Sequence, residues 1–175
     1  MATTIEPRER LQPALLDRLT DDAPGQHGEA EAQRVMSKAQ MRAAVLRDLR
    51  WLFNATQSPG KLGENHPGLA ASVLNFGLPA LSGQLASKVD ISQIERSIRD
   101  CILRFEPRLL ADTLQVRALE ASSVLDTHNM IEFEIRGHLW AQPIPLEVLL
   151  RTRLDLEAGL VEVRDTMPST TRRVR

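Results

Sequence analysis

The apolar residues of this chain change their spacing once, from a helical repeat before Pro107 to strict alternation after it. The two patterns require different elements, because a helix returns to one face about every 3.6 residues and a strand every second residue. Over residues 30–54, Val35, Ala39, Arg42, Leu46, Leu49 and Phe53 follow the helical spacing, with Val45 and Leu52 widening the stripe. Glu29 and Glu31 suit the positive end of such a helix. Arg34, Lys38, Arg47 and Arg50 lie mostly off the stripe and read as a solvated basic face. A second helix is predicted over Asp90–Arg104, where Ile91, Ile94, Ile98, Cys101, Ile102 and Phe105 share one side and Asp90 with Gln93 resembles a capping box. It must stop near Glu106, because proline disfavours helical dihedrals in the residue before it.

Beyond Pro107 the alternation predicts strands. Leu114, Val116 and Ala118 alternate with Gln115 and Arg117, and Ile131, Phe133, Ile135 and Gly137 alternate with Glu132, Glu134, Arg136 and His138. Leu146, Val148, Leu150, Thr152, Leu154 and Leu156 form the longest run, and Val161 and Val163 follow a hairpin turn over residues 156–160. Alternation of this kind marks half-buried strands of a mainly antiparallel sheet with one wet face. Helices first and strands last give an α+β class, N-terminal helices packed on a mainly antiparallel C-terminal sheet. The expected organisation is an arm over residues 1–29, partly disordered or carrying a short docking helix at Leu15, Leu16 and Leu19, then an α+β domain over 30–166, then a basic disordered tail over 167–175. Between the helices, Pro59, Gly60, Gly63, Pro67 and Gly68 predict a loop, and the apolar run Val73–Phe76, stopped by Gly77 and Pro79, reads as a short strand.

Composition excludes several function classes. Charge is balanced, with 22 Lys and Arg against 23 Asp and Glu, so the basic footprint of a nucleic-acid binder is missing. Aromatic residues make up only 3%, too few for a base-stacking platform. The lone cysteine, Cys101, allows no internal disulfide and falls on the apolar stripe, where it reads as a small buried hydrophobe. No apolar run approaches the ~20 residues that span a bilayer, and Met1–Arg10 mixes charges without an apolar core, so a soluble cytoplasmic protein with no membrane insertion is expected. The chain contains no phosphate-binding loop, no dinucleotide fingerprint and no Cys-x-x-Cys, and His27, His66, His128 and His138 lack metal-ligand spacing and read as solvated. Ser82 reads as a turn residue, and no cofactor is expected.

One cluster stands apart. In Phe105-Glu106-Pro107-Arg108-Leu109 a helix ends, a proline sets the exit and opposite charges flank it. If extended, Glu106 and Arg108 point the same way and make a rigid bipolar patch, a candidate partner-binding site. The plainer reading is a surface ion pair at a helix end, contributing ~0–1 kcal/mol to folding. A guanidinium two residues away favours an ionised carboxylate, the opposite of what acid catalysis by Glu106 requires.

That cluster resembles the Glu-Pro-Arg core motif of the TssE family of type VI secretion baseplate subunits, within the wider phage baseplate-wedge family once labelled lysozyme-like. Three further segments agree in order: Leu15-Leu16-Asp17-Arg18-Leu19 with the N-terminal Leu-x-Arg-Leu segment, Val45 to Asn54 with the first long helix, and Val73-Leu74-Asn75-Phe76-Gly77-Leu78-Pro79 with a Leu-Asn-aromatic-Gly-Leu-Pro segment. Ala80 departs from the pattern, standing where an acidic residue is expected. The resemblance implies a non-enzymatic structural subunit at the inner face of the cell envelope. Its implied partners are the wedge subunits TssF, TssG and TssK and the sheath proteins TssB and TssC. It also implies a sheet that can offer a first template for sheath strands. The strand from Leu146 to Leu156 is a candidate template if it lies at an edge, which the preceding Pro143 and Pro145 permit, with Arg151 and Arg153 presented to the partner. Its periodicity suits a central position equally. The other reading, a peptidoglycan-cleaving glycosidase, requires two carboxylates across a sugar cleft.

Overall fold

The computed structural model describes residues 13–20, 36–58, 67–70, 72–81, 90–119, 129–141 and 143–166. Glu29, Glu31, Arg34, Val35, Gly60, Gly63, Ser82, His27, His66, His128, the charged segment Met1–Arg10 and the tail 167–175 lie outside the described residues. The helices are α1 (Leu15–Leu19), α2 (Lys38–Asn54), the single turn α3 (Pro67–Ala70) and α4 (Ile91–Phe105). The strands are β1 (Gln115–Ala118), β2 (Met130–Leu139), β3 (Leu146–Asp155) and β4 (Leu160–Asp165). They form one antiparallel sheet in sequence order, with helices before it, the α+β arrangement that the change of period requires.

Local chemistry sets the helix limits. Ser37 caps α2: its Oγ accepts the Gln40 N–H at 3.2 Å, and Gln40 Oε1 accepts the Ser37 N–H at 2.9 Å. Ser37 is therefore extended and the helix starts at Lys38, later than the apolar spacing suggests. Its buried side comprises Met41, Ala44, Val45, Leu49, Leu52 and Phe53, while Ala39 is exposed and Arg42 and Leu46 are half-buried. In α4, Asp90 accepts the Gln93 N–H at 3.1 Å, and the helix ends at Phe105 with Glu106 as its cap. Ile94, Ile98, Cys101 and Ile102 face inward; Ile91, expected on that side, is exposed.

The connection between α2 and α4 departs from expectation. Val73–Asn75 is a 3₁₀ turn, not a strand, because Ser72 Oγ accepts the Leu74 N–H at 3.3 Å and closes the backbone locally. Val73 and Leu74 are consequently exposed. Within the region expected to be loop, Pro67–Ala70 makes a helical turn and Thr56 pairs with Leu78 in a parallel bridge. Leu78 N–H donates to Ala55 O at 2.9 Å and Gln57 N–H to Leu78 O at 2.9 Å. Gly77 permits this approach: its φ is +123°, and a Cβ there would overlap the Ala55 carbonyl.

α2 packs over β4 and α4 over β1, so both helices cover one side of the sheet. Phe133, Ile135, Leu139, Leu150, Leu154, Val161 and Val163 fill the space between. Thr152, the buried hydroxyl on that side, donates to Phe133 O at 3.3 Å. The alternation thus places the expected residues inward along β2, β3 and β4.

The edge placement of Leu146–Leu156 is overturned. β3 pairs with β2 along its length and with β4 from Leu150 to Asp155, so it is an inner strand. Alternation reports which face is buried and carries no information about lateral neighbours. Among the described residues the edges are β1 and β4. Thr166 N–H donates to Leu149 O, which sets the hydrogen-bond phase and turns the backbone of Val161 and Val163 outward. α2 covers them. Asn54 Nδ2 donates to Val161 O at 2.8 Å, its Oδ1 accepts the Val161 N–H at 3.0 Å, and Arg50 Nε donates to Val163 O at 3.1 Å. Arg42 Nη2 likewise donates to Glu147 O at 2.6 Å, beyond the end of β4. The basic residues of α2 are therefore not simply a solvated face. The helix runs beside an edge strand whose outward carbonyls need donors, and arginine supplies them.

Candidate functional site

The Glu-Pro-Arg segment sits where α4 gives way to the sheet. Glu106 caps α4, its N–H donating to Ile102 O at 2.8 Å, and its carbonyl accepts the Leu109 N–H at 3.2 Å across Pro107. Arg108 and Leu110 then run alongside β2: Trp140 N–H donates to Arg108 O at 2.7 Å and Leu110 N–H to His138 O at 2.9 Å. The turn is held from both directions by backbone bonds.

Within it, Glu106 and Arg108 do face each other, but not as a surface pair. The Glu106 side chain is 3% exposed. Its Oε1 accepts from Arg108 Nε at 2.6 Å and from the Arg108 N–H at 3.2 Å, and its Oε2 accepts from Arg108 Nη2 at 2.5 Å. The same Nη2 reaches Asp48 Oδ2 of α2 at 2.6 Å. Burial opposes the charge on Arg108, yet Glu106 and Asp48 outweigh it and raise its pKa above the ordinary guanidinium value. The surface-pair reading and its small folding contribution are overturned. Removing one member of a buried pair leaves the other charge desolvated, which costs about 3–5 kcal/mol. Both Glu106 oxygens are engaged by Arg108, which fits a structural carboxylate.

The network extends further. Asp48 Oδ1 accepts from Arg47 Nε at 2.8 Å, and Arg47 Nη1 donates to Asp17 Oδ1 of α1 at 2.7 Å. Burial again works against the Arg47 charge, and Asp17 and Asp48 again raise its pKa. Arg47 also lies over the Trp51 ring, 5.4 Å from its centroid. α1 buries no residue of its own, and Leu15 and Leu19 are exposed, so Asp17 is its anchor. One chain of charges therefore links α1, α2 and the Glu-Pro-Arg turn.

Pro107 is exposed, and Trp140 and Ile144 in the β2–β3 loop are 50% and 69% exposed. Arg151 and Arg153 are far from this cluster in the sheet register, on the uncovered face. Both are exposed; Arg153 Nη2 pairs with Glu132 Oε1 at 2.8 Å, and the hydrogen bond to Glu132 holds the Arg153 pKa up. The candidate residues thus divide into two places. Sequence reasoning missed Asp48, Arg47, Asp17, Trp140 and Ile144. Asp48 lies 60 residues before Arg108, and no local pattern marks that pairing.

Cys101 is buried, its Sγ 3.1 Å from Gly77 O, and burial pushes its thiol up to about 12. His138, expected to be solvated, is half-buried with an unpartnered Nδ1. Among the described residues no group of three or more His, Cys, Asp or Glu could hold a metal ion, and no helix is long and apolar enough to cross a membrane.

Compared with known proteins, residues 39–144 match the family model of the baseplate wedge protein gp25. The match includes α4, the Glu-Pro-Arg turn and β2. No curated protein and no solved structure matches the chain.

Proposed function

The chain belongs to the baseplate wedge protein gp25 family, and from that premise we propose that it is a structural subunit of a type VI secretion baseplate. In this reading it joins the wedge subunits TssF, TssG and TssK to the contractile sheath of TssB and TssC. It works on the cytoplasmic side of the envelope, where it helps to nucleate sheath polymerisation.

The observation that carries the reading is the Glu-Pro-Arg turn. A buried carboxylate locks Arg108, Arg108 ties the turn to α2 through Asp48, and the turn leaves Pro107 exposed next to Trp140, whose N–H donates to Arg108 O, with Ile144 exposed in the same β2–β3 loop as Trp140. Preorganised apolar anchors with an aromatic residue suit a protein interface. Glu106 and Arg108 then act in partner binding by holding Pro107 in place, while Arg151 and Arg153 present charge on the opposite face. Strand addition by the sheath would use β1, because Asn54 and Arg50 occupy the outward groups of β4. On β1 the Ala118 N–H is capped by Glu95 Oε1 at 2.6 Å, and the bond from Leu119 N–H to Glu132 O turns Val116 outward.

The test is made in a bacterium that encodes this chain with a contractile secretion apparatus. The tagged chain is expected to co-purify with TssF, TssG and TssK, and its deletion to abolish sheath assembly. Normal sheaths without the chain would overturn the reading. Replacing Trp140 or Ile144 by Asp should lower wedge-subunit recovery while the purified domain stays folded, and unchanged recovery would remove the turn from the interface.

A further inference from the structure

The uncovered face of the sheet is charged, and its cross-strand neighbours are matched by sign. Arg117 lies opposite Glu134, Glu134 opposite Arg151, Glu132 opposite Arg153, and Arg153 opposite Glu162. Arg136 reaches diagonally to Glu147 at 2.7 Å. One pair breaks the rule: Arg151 lies directly opposite Arg164. Both are exposed, and they face each other directly at a hydrogen-bonded ladder position, where Cα atoms lie about 5.5 Å apart. Like charges in that relation destabilise a sheet. Arg164 is partly compensated by Glu162 at 2.7 Å, whereas Arg151 makes no ion pair among the described residues. The isolated fold gains nothing from this juxtaposition. A carboxylate placed between the two guanidiniums would remove the repulsion and accept from both.

We infer that Arg151 and Arg164 form a docking site for a carboxylate on an acidic segment of a partner protein. The inference rests on the structural reading above and adds Arg164 and the chemistry of the partner to it. The face as a whole decides the class of partner. Arg117, Arg136, Arg151, Arg153 and Arg164 are interspersed there with Glu132, Glu134, Glu147, Asp155 and Glu162, so it has no net basic field. A nucleic acid or an anionic bilayer would bring an array of negative charge across the row of Glu132 and Glu162, where it would be repelled. A side-chain carboxylate needs only the space between two arginines.

The experiment has two arms. In the first, the purified full chain is titrated with a short glutamate-rich peptide while the arginine Nε–Hε resonances are followed. The Arg151 and Arg164 signals should shift saturably and further than those of Arg136 and Arg153, and Arg164→Gln should weaken the interaction by about tenfold. Uniform shifts over all five arginines, no shift, or equal binding of duplex DNA or phosphatidylglycerol vesicles would overturn the assignment. In the second arm, Arg151→Gln and Arg164→Gln are each expected to melt at or above the wild-type temperature and yet to impair sheath assembly. Normal sheaths from the double variant would overturn the arginine site alone, whereas normal sheaths in a strain lacking the chain would overturn the baseplate reading itself.

Discussion

The two faces of the sheet use charge in opposite ways. On the helix-covered side, Glu106, Arg108 and Asp48 are drawn into one network in which Glu106 is 3% exposed. On the uncovered side, Arg136 with Glu147 and Arg153 with Glu132 make bonds of similar length, 2.7 and 2.8 Å, with side chains 38–60% exposed. The distances do not separate the two sets; solvent does. A buried pair contributes through the penalty of breaking it, and an exposed pair is screened and must hold two long side chains in place. The covered face is built to hold the turn, and the uncovered face can present charge to another molecule.

The largest break in this comparison should come from Arg108→Ala. It strands Glu106 in the interior, so a loss of about 3–5 kcal/mol is expected from denaturant unfolding. A loss below 1 kcal/mol would mean that the covered network behaves like a surface one.

The buried thiol gives a pH test of the same face. The Cys101 pKa is raised in the fold from 9.0 to about 12, so its contribution is complete below about pH 9 and is lost as pH rises toward 12. Stability measured from pH 8 to 10.5 should fall over that window, and Cys101→Ala should flatten the slope. An equal slope in the variant would assign the alkaline loss to other groups.

At the rim between the faces, Asn54→Ala removes both bonds to Val161 and should cost about 1–3 kcal/mol. It also uncovers the β4 edge, so concentration-dependent self-association by light scattering is the sharper reading. The smallest effect belongs to the uncovered face: Arg136→Gln and Arg153→Gln should leave the melting temperature unchanged in physiological salt. A clear drop in either would show that the outer pairs carry the fold as well.

Much of the fold was legible in the chain. The change of period at Pro107 gave helices then strands, and alternation gave the inward set Phe133, Ile135, Leu150, Leu154 and Val163. Asp90 and Pro107 marked the limits of α4. The start of α2 was missed because the Ser37 cap lies inside an apolar pattern that continues in front of it. The run at Val73 was misread because four apolar or amide residues fit a strand as well as a 3₁₀ turn, and the Ser72 hydroxyl decided between them. Of the candidate site, the tripeptide itself was visible and its burial was not.

What the sequence determined by itself is the kind of each major element and the face it buries, because both follow from spacing over a few neighbouring residues. Tertiary structure alone decided that β3 is an inner strand, that Asn54 and Arg50 close the β4 edge, and that Glu106 is buried beneath Arg108 with Asp48 beside it. The contacts of Asn54 with Val161 and of Asp48 with Arg108 join residues 60 or more positions apart through single side chains. A lone polar contact has no period, so it leaves no local pattern and exists only once the helices have settled on the sheet.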